Sequence, residues 1–403
     1  MRRNVHHSGV GVDGPVRVTG MDSTTIREHY THHVYGVPPG DGEVDLDWEL
    51  VEQGSSSDGV RRQIRLDLTG PSGEAARLTL LVHLPAEASV AEPVPAFCGM
   101  NFHGNHVCTH DPAVIDLFVD HGPAGDQLQY AGSADKLDPA PVRGNQEHRW
   151  AFPTITGRGY ASITWCYRQM GPEGPEVFDQ APHRLFSTHD QDGRDADEWG
   201  SIGIWAWSMS RVLDAVVAGM VPEIDPGRVI AHGHSRLGKT AIWAGVSDPR
   251  FAAVISNNSG CLGASLSRNV GEIPEVLDRI RPYWFAPNFH QVSERWLARY
   301  DGAEDPELPD QPDLMGLVAP RPLYVASASA DHNADPEGEY LSWQQASAAW
   351  DGGPQATAGP FPSPGTVLAP EAVPLGYHLR EGKHDVHEFD WVAWMDFADR
   401  WVR

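Results

Sequence analysis

Arg228-Val-Ile-Ala-His-Gly233-His234-Ser235-Arg236-Leu237-Gly238-Lys239-Thr240-Ala-Ile-Trp-Ala244 is the stretch whose reading decides the fold. The short apolar run at 229–231 has the character of a strand buried on both faces, and a helix-forming stretch begins right after the second glycine. A strand that turns sharply into a helix projects the side chain at the corner above the sheet edge. Glycines on either side permit the crowded backbone, and the helix N-terminus favours negative charge developing there. Ser235 occupies that corner, the placement of a nucleophilic serine. Gly238 stands one position later than in Gly-x-Ser-x-Gly, and the competing reading is a tight turn in which Ser235 only caps the helix.

Outward from this corner, further short apolar runs at 96–100, 161–165, 253–256 and 323–326 have the same buried-strand character. Between them, Ile202, Trp205, Ala206, Met209, Val212, Leu213, Val216 and Val217 follow helical spacing up to Gly219 and Pro222. The segment 389–401 is again amphipathic and predicts a closing helix. Strands alternating with helices imply a mostly parallel sheet covered on both faces and joined by right-handed crossovers. Upstream, Ile64, Leu66 and Leu68, then Leu78, Leu80, Val82 and Leu84, alternate at period two around Gly70-Pro71-Ser72-Gly73. They predict an antiparallel hairpin that opens the sheet.

Residues 1–40 are polar and glycine-rich and predict a loosely ordered N-terminal arm, leaving 41–403 as one α/β catalytic domain with long loop insertions. Gly/Pro/Asp-rich stretches at 121–150, 171–198 and 351–366 are long enough to be walls of a cleft.

Lys and Arg total 30 against 55 Asp and Glu, a formal charge of −25, which repels nucleic acid and anionic membrane surfaces alike. The four cysteines, Cys98, Cys108, Cys166 and Cys261, are too few and scattered for a disulfide framework and are expected as core thiols. Neither a signal-type apolar region nor a membrane-spanning run is visible, which predicts a soluble, cytoplasmic product, or a secreted one if a leader was removed. The acidic run Asp190, Asp192, Asp195, Asp197, Glu198 fits no calcium loop and is expected to be a solvated surface. His103, His106, Cys108 and His110 only loosely imitate zinc-ligand spacing. No metal and no cofactor is expected.

A serine needs a base within hydrogen-bond reach and an acid to orient that base. In the α/β-hydrolase fold these follow in the order Ser, Asp, His. Asp331 ends the strand-like run beginning at Leu323, and His384 lies on the last loop before the closing helix. Asp335 and His378 are their respective rivals.

Several separated motifs then resemble the glucuronoyl esterases, carbohydrate esterase family 15. They are Asn101-Phe-His-Gly-Asn105-His106, Gly233-His-Ser-Arg-Leu-Gly-Lys239, Ser256-Asn-Asn-Ser-Gly-Cys261, Gly271-Glu272, Ala319-Pro-Arg-Pro-Leu-Tyr-Val325, Asp335-Pro-Glu-Gly-Glu339, and Gly376-Tyr-His378 with His384-Asp-Val386. The resemblance runs from Ala96 to the C-terminus. It implies an α/β hydrolase, without cofactor, that cleaves the ester between 4-O-methylglucuronic acid on xylan and lignin alcohols. It also implies Ser235 as nucleophile, His384 as base, and Arg236 stabilising the oxyanion through its backbone N–H and guanidinium. Lys239 and Glu272 match positions that bind the uronate hydroxyls.

The chain departs from that pattern where many relatives carry a catalytic glutamate and this sequence has Asn258. An amide cannot supply the charge that stabilises an imidazolium, so Asp331 is expected as the acid. A sugar-contacting tryptophan two residues after the acid is replaced by Asn333, removing an apolar stacking face. The expected partner is a small-molecule or oligosaccharide uronate ester. Alternatives are a deacetylase of xylan or xylo-oligosaccharides on the same triad, and an impaired relative that binds carbohydrate without turnover. Oligomeric state is not readable from these residues.

Overall fold

Among the described residues, ten strands pair into a single sheet in the order β1-β2-β3-β5-β4-β6-β7-β8-β10-β9. In chain order they are β1 (Asp45–Ser56), β2 (Gly59–Thr69), β3 (Ala75–Leu84), β4 (Val94–Asn101), β5 (Ala161–Cys166), β6 (Ile224–His234), β7 (Ala253–Asn257), β8 (Leu323–Ala328), β9 (Thr366–Leu368) and β10 (Leu375–Arg380). This computed structural model describes residues 20–38, 44–56, 58–116, 142–171, 173–174, 178, 181–186, 194–267, 271–300, 303 and 305–403. Pairing is parallel from β5 through β4, β6, β7 and β8 to β10. The β1-β2-β3 meander and β9 are added antiparallel at the two edges.

The buried runs make the two-sided core that a parallel sheet requires. Ala96, Cys98, Val229, Ala231, Val254 and Val325 face a cluster containing Trp205, Met209, Leu213 and Ile242. Their strand neighbours Phe97, Ile230, Ile255, Tyr324 and Ala326 face a second cluster with Trp391, Trp394 and Phe397. The period-two alternation of a strand sends neighbours to opposite faces, and each large apolar side chain so buried contributes about 2 kcal/mol. The first cluster is closed by the helix Ser201–Val217, whose predicted stripe is buried except at Val217, which is 54% exposed. The second is closed by the C-terminal helix Glu388–Trp401. All four cysteines are buried.

The expected antiparallel hairpin is formed by β2 and β3, and β1 precedes it and pairs along β2. Leu46, Trp48 and Leu50 alternate in β1, but the register shifts between Leu50 and Glu52 and Leu50 is 51% exposed, so the apolar period stops after three residues. The N-terminal arm is not loose over its described part, 20–38. Asp22 caps a helix, Ser23–Tyr30, by accepting from Thr24 N and Thr25 N, and Ile26, Tyr30, Val34 and Tyr35 are buried. The Tyr35 ring lies 4.8 Å from that of Trp243, and its hydroxyl donates to Leu262 O at 2.9 Å. Four anchoring side chains scattered among histidines and threonines leave the stretch polar on balance, so nothing in its composition announces a docked segment. Residues 1–19 lie outside the described residues.

Most of the 121–150 stretch and part of 171–198 also lie outside them. The 351–366 stretch is fastened to the helix Pro336–Ala346, since Gln344 donates to Thr357 O and Gly359 O. No helix among the described residues is long and apolar enough to cross a membrane.

Candidate active site

Ser235 sits at φ 59°, ψ −131°, between β6 and the helix Arg236–Ser247. A non-glycine residue in that region is strained and persists only where its surroundings hold it. Three backbone bonds do so: Ser235 N donates to Asn257 O at 2.8 Å, and Ser235 O accepts from Gly238 N and Lys239 N. A Cβ on Gly233 would lie 1.9 Å from Leu237 O. One on Gly238 would meet the Ser259 Cβ at 2.9 Å, so the helix seats against the turn after β7 only without a side chain there. The displaced second glycine of the motif is thereby explained by helix packing.

Asp331 follows β8 and is 5% exposed. His384 Nδ1 meets its Oδ2 at 2.5 Å, and Asn258 Nδ2 donates to the same oxygen at 2.8 Å. Burial alone would lift the Asp331 carboxyl, but the hydrogen bond and charge of His384, then the Asn258 amide and the Ala334 N–H, outweigh it and hold the group below the ordinary Asp value. The turns that carry Asp331 and His384 are also tied by main chain, with Ser329 N donating to Arg380 O at 2.9 Å and Ala330 N to Gly382 O at 2.7 Å. His384 is the accessible member, its side chain 42% exposed. Its ring lies 4.4 Å from the ring of His234, the residue before Ser235.

The rivals are engaged elsewhere. His378 is fully buried in β10 between Tyr324 OH at 3.0 Å and Asp390 Oδ1 at 2.7 Å. Asp335 lies at the start of the helix Pro336–Ala346, where burial pushes its carboxyl up to about 6.

Arg236 turns its guanidinium onto Glu173, itself bonded by Tyr167 OH at 2.6 Å. The same guanidinium lies over the rings of Trp284, at 5.2 Å, and Phe102, at 5.7 Å. A cation held between two aromatic faces and a carboxylate keeps its orientation. Lys239 is almost wholly buried, and its Nζ donates to Ser259 O at 2.5 Å, Cys261 O at 2.6 Å and Glu272 Oε2 at 3.4 Å. All three of its protons are therefore engaged within the protein, and Glu272, 37% exposed, is the member of the pair that reaches solvent. Glu272 N donates to Asn333 O at 3.1 Å, which sets exposed Asn333 beside it.

Among the described residues no group of three or more His, Cys, Asp or Glu side chains could hold a metal. His106 and Cys108 are buried, and burial pushes the Cys108 thiol well up. Of the acidic run, Asp190 and Asp192 lie outside the described residues, Asp197 pairs with His32 and Glu198 with Arg194.

Sequence reasoning missed Glu173, which sits in a Gly/Pro-rich stretch that offers no pattern, and Glu339. The fully buried Glu339 carboxyl accepts from Ser259 N at 2.7 Å and Gly260 N at 2.9 Å and is hydrogen-bonded with Ser327 Oγ at 2.6 Å, bracing the turn that carries Asn258. It also missed Asn257 and Asp385, although both lie inside the family-like motifs.

Comparison with known proteins identifies the family. A family model described as glucuronyl esterase, fungi, matches residues 152–352. Over 382 residues the chain is 34% identical to carbohydrate esterase MZ0003 of an unknown prokaryotic organism, covering 93% of this chain and 83% of that protein. A solved glucuronoyl esterase from Solibacter usitatus superposes with TM-score 0.78 at 31% identity, covering 95% of this chain and 92% of the other. A promiscuous CE15 esterase from a marine bacterial metagenome gives 0.76 at 31% identity, covering 94% and 91%. Likeness of this depth along nearly the whole chain means that it belongs to carbohydrate esterase family 15, the glucuronoyl esterases, and is a carboxylic ester hydrolase.

Proposed function

We propose that this enzyme hydrolyses a glucuronoyl ester, the 4-O-methylglucuronate form included, by a Ser235-His384-Asp331 triad through an acyl-enzyme. The observation that carries the reading is the 2.5 Å contact of His384 Nδ1 with Asp331 Oδ2, on a loop whose base lies beside the strained Ser235 corner. With Nδ1–H held by Asp331, the His384 Nε2 is the atom left to take the Ser235 proton. The Ser235 oxygen attacks the ester carbonyl, and the oxyanion forms against the Arg236 backbone N–H and guanidinium, with Glu173 keeping the latter aimed. The proton passes from His384 to the departing alcohol, and water then cleaves the acyl-enzyme by the same route in reverse. Glu272 and Asn333 face the sugar, and Lys239 acts on it through Glu272. The substrate is a small-molecule or oligosaccharide uronate ester, with neither nucleic acid nor membrane as partner.

A second reading, a broader esterase that also removes acetyl groups, draws support from exposed Asn333, which offers no ring face for a sugar. Methyl and benzyl glucuronate compared with acetylated xylo-oligosaccharides, with Ser235→Ala as control, tests both. The uronate esters should be cleaved with the higher kcat/KM and Ser235→Ala should be inactive but folded. Equal kcat/KM on neutral acetyl esters favours the broader enzyme, and uronate binding without turnover favours a non-catalytic relative.

A further inference from the structure

We propose that Asn257 is the positioning residue that sets the nucleophile corner and the base loop at their working separation, a role that rests on the Ser235-His384 reading. Asn257 ends β7 and is fully buried. Its backbone oxygen accepts from Ser235 N at 2.8 Å. Its side-chain Nδ2 reaches Asp385 O at 3.2 Å and His234 Nδ1 at 2.8 Å. One residue therefore holds the nucleophile by its main chain, and the residue after the base by its side chain.

The chemistry of the partners fixes the direction of each bond. A peptide oxygen only accepts, so the Asn257 atom facing Asp385 O is the nitrogen, and its second N–H is the one directed at His234. His234 Nδ1 must then be an acceptor, which makes the ring neutral with its proton on Nε2. Burial, reinforced by the charges of His384, Arg149, Arg380 and Arg236, drives the His234 pKa well below the ordinary range and agrees with that assignment. The ring that lies 4.4 Å from His384 is thus an uncharged platform, and it does not compete when the base becomes cationic.

Asp385 is pinned on its other side as well. Its carbonyl also accepts from Arg380 Nη2 at 2.9 Å, and its carboxylate takes Arg149 Nε at 2.5 Å. Arg380 holds the loop to the core, and Arg149 holds it from the flank. Asn257 connects it directly to the strand end that grips Ser235. Proton transfer is steep in distance, so a loop free to drift by about half an ångström loses turnover without losing substrate affinity.

Two variants test this in the full chain. Asn257→Leu removes both donors at similar volume, and Asn257→Ser removes their reach in a smaller residue that leaves the backbone bond to Ser235 in place. For each, kcat on benzyl glucuronate should fall about 100-fold with KM within about threefold of wild type. The rate of inactivation by a fluorophosphonate should fall by a similar factor, because it too needs the serine activated. Affinity for glucuronate, measured in a Ser235→Ala background, should not change. Nitrogen-15 NMR of the unaltered protein should show His234 Nδ1 unprotonated at neutral pH. Turnover within about threefold of wild type, a loss that only tracks the folded fraction, or a proton on His234 Nδ1 overturns the proposal. Undiminished turnover by Ser235→Ala would instead overturn the triad reading on which it stands.

Discussion

Asn258 donates its side-chain amide to Asp331 Oδ2 at 2.8 Å, the same oxygen that meets His384 Nδ1 at 2.5 Å. Where many relatives are expected to carry a carboxylate, this chain has a donor that helps keep the remaining carboxylate ionised. The two residues therefore have unequal parts. Asp331→Asn should lower kcat about 10³- to 10⁴-fold by removing the charge that stabilises the imidazolium. Asn258→Ala should cost about tenfold, the worth of one hydrogen bond to a charged group. Equal and small effects in steady-state kinetics would show that the orienting acid is another residue.

Asn258→Asp sets two carboxylates on one site, and like charges at that range cannot both ionise freely. In the native protein the Asp331 pKa lies below its ordinary value, so its contribution is present at neutral pH and is lost as pH falls through the folded value. The added carboxylate raises it. The acid limb of the kcat/KM profile should move to higher pH, and a limb unmoved from wild type would contradict the shared-oxygen geometry.

Glu339 has the opposite sign. Burial first, then the charge of Asp331, push its carboxyl up to about 8 from 4.5, against the bonds from Ser327, Gly260 and Ser259. The folded state thus holds a proton that the unfolded chain has released, and stability is lost as pH rises between those values. Glu339→Gln keeps one acceptor oxygen for Ser259 N and Gly260 N and has no proton to lose. Its melting temperature relative to wild type should rise steadily from acid to mildly alkaline pH. A constant difference would mean that Glu339 does not titrate in that window.

Lys239 and Glu272 should separate by phenotype. Lys239→Met strands Ser259 O and Cys261 O inside the protein and should destabilise the fold by about 3 kcal/mol, visible in thermal or denaturant unfolding. Glu272→Gln should raise KM for uronate esters severalfold with little change in melting temperature. A Lys239→Met protein of native stability would place that side chain on the substrate instead.

Activity should survive exhaustive treatment with a chelator, because the proposed chemistry uses only Ser235, His384, Asp331 and Arg236. Loss of turnover that added zinc restores would require a metal ligand set in its place.

How much was legible differs by feature. The parallel core strands and the two covering helices were visible because burial on both faces leaves unbroken apolar runs, and burial on one face leaves a helical period. The edge strand β1 was not, because eight of its twelve residues are exposed and its register slips after Leu50. The docked segment around Tyr30 and Tyr35 was missed for a related reason, since a few large side chains anchor a stretch that is otherwise polar.

The chain by itself determined the strand-to-helix corner at Ser235 and the family, because each is written in short contiguous motifs whose local backbone demands particular residues. Only the tertiary structure decided the contacts between motifs. It brought Asp331 rather than Asp335 to His384, closed Lys239 within carbonyls, turned Glu173 onto Arg236, and stretched Asn257 between two loops. Those are hydrogen bonds between residues far apart in the chain, made by polar side chains that carry no periodicity. Their partners are set by where strands end in space and not by what stands next to them in the chain.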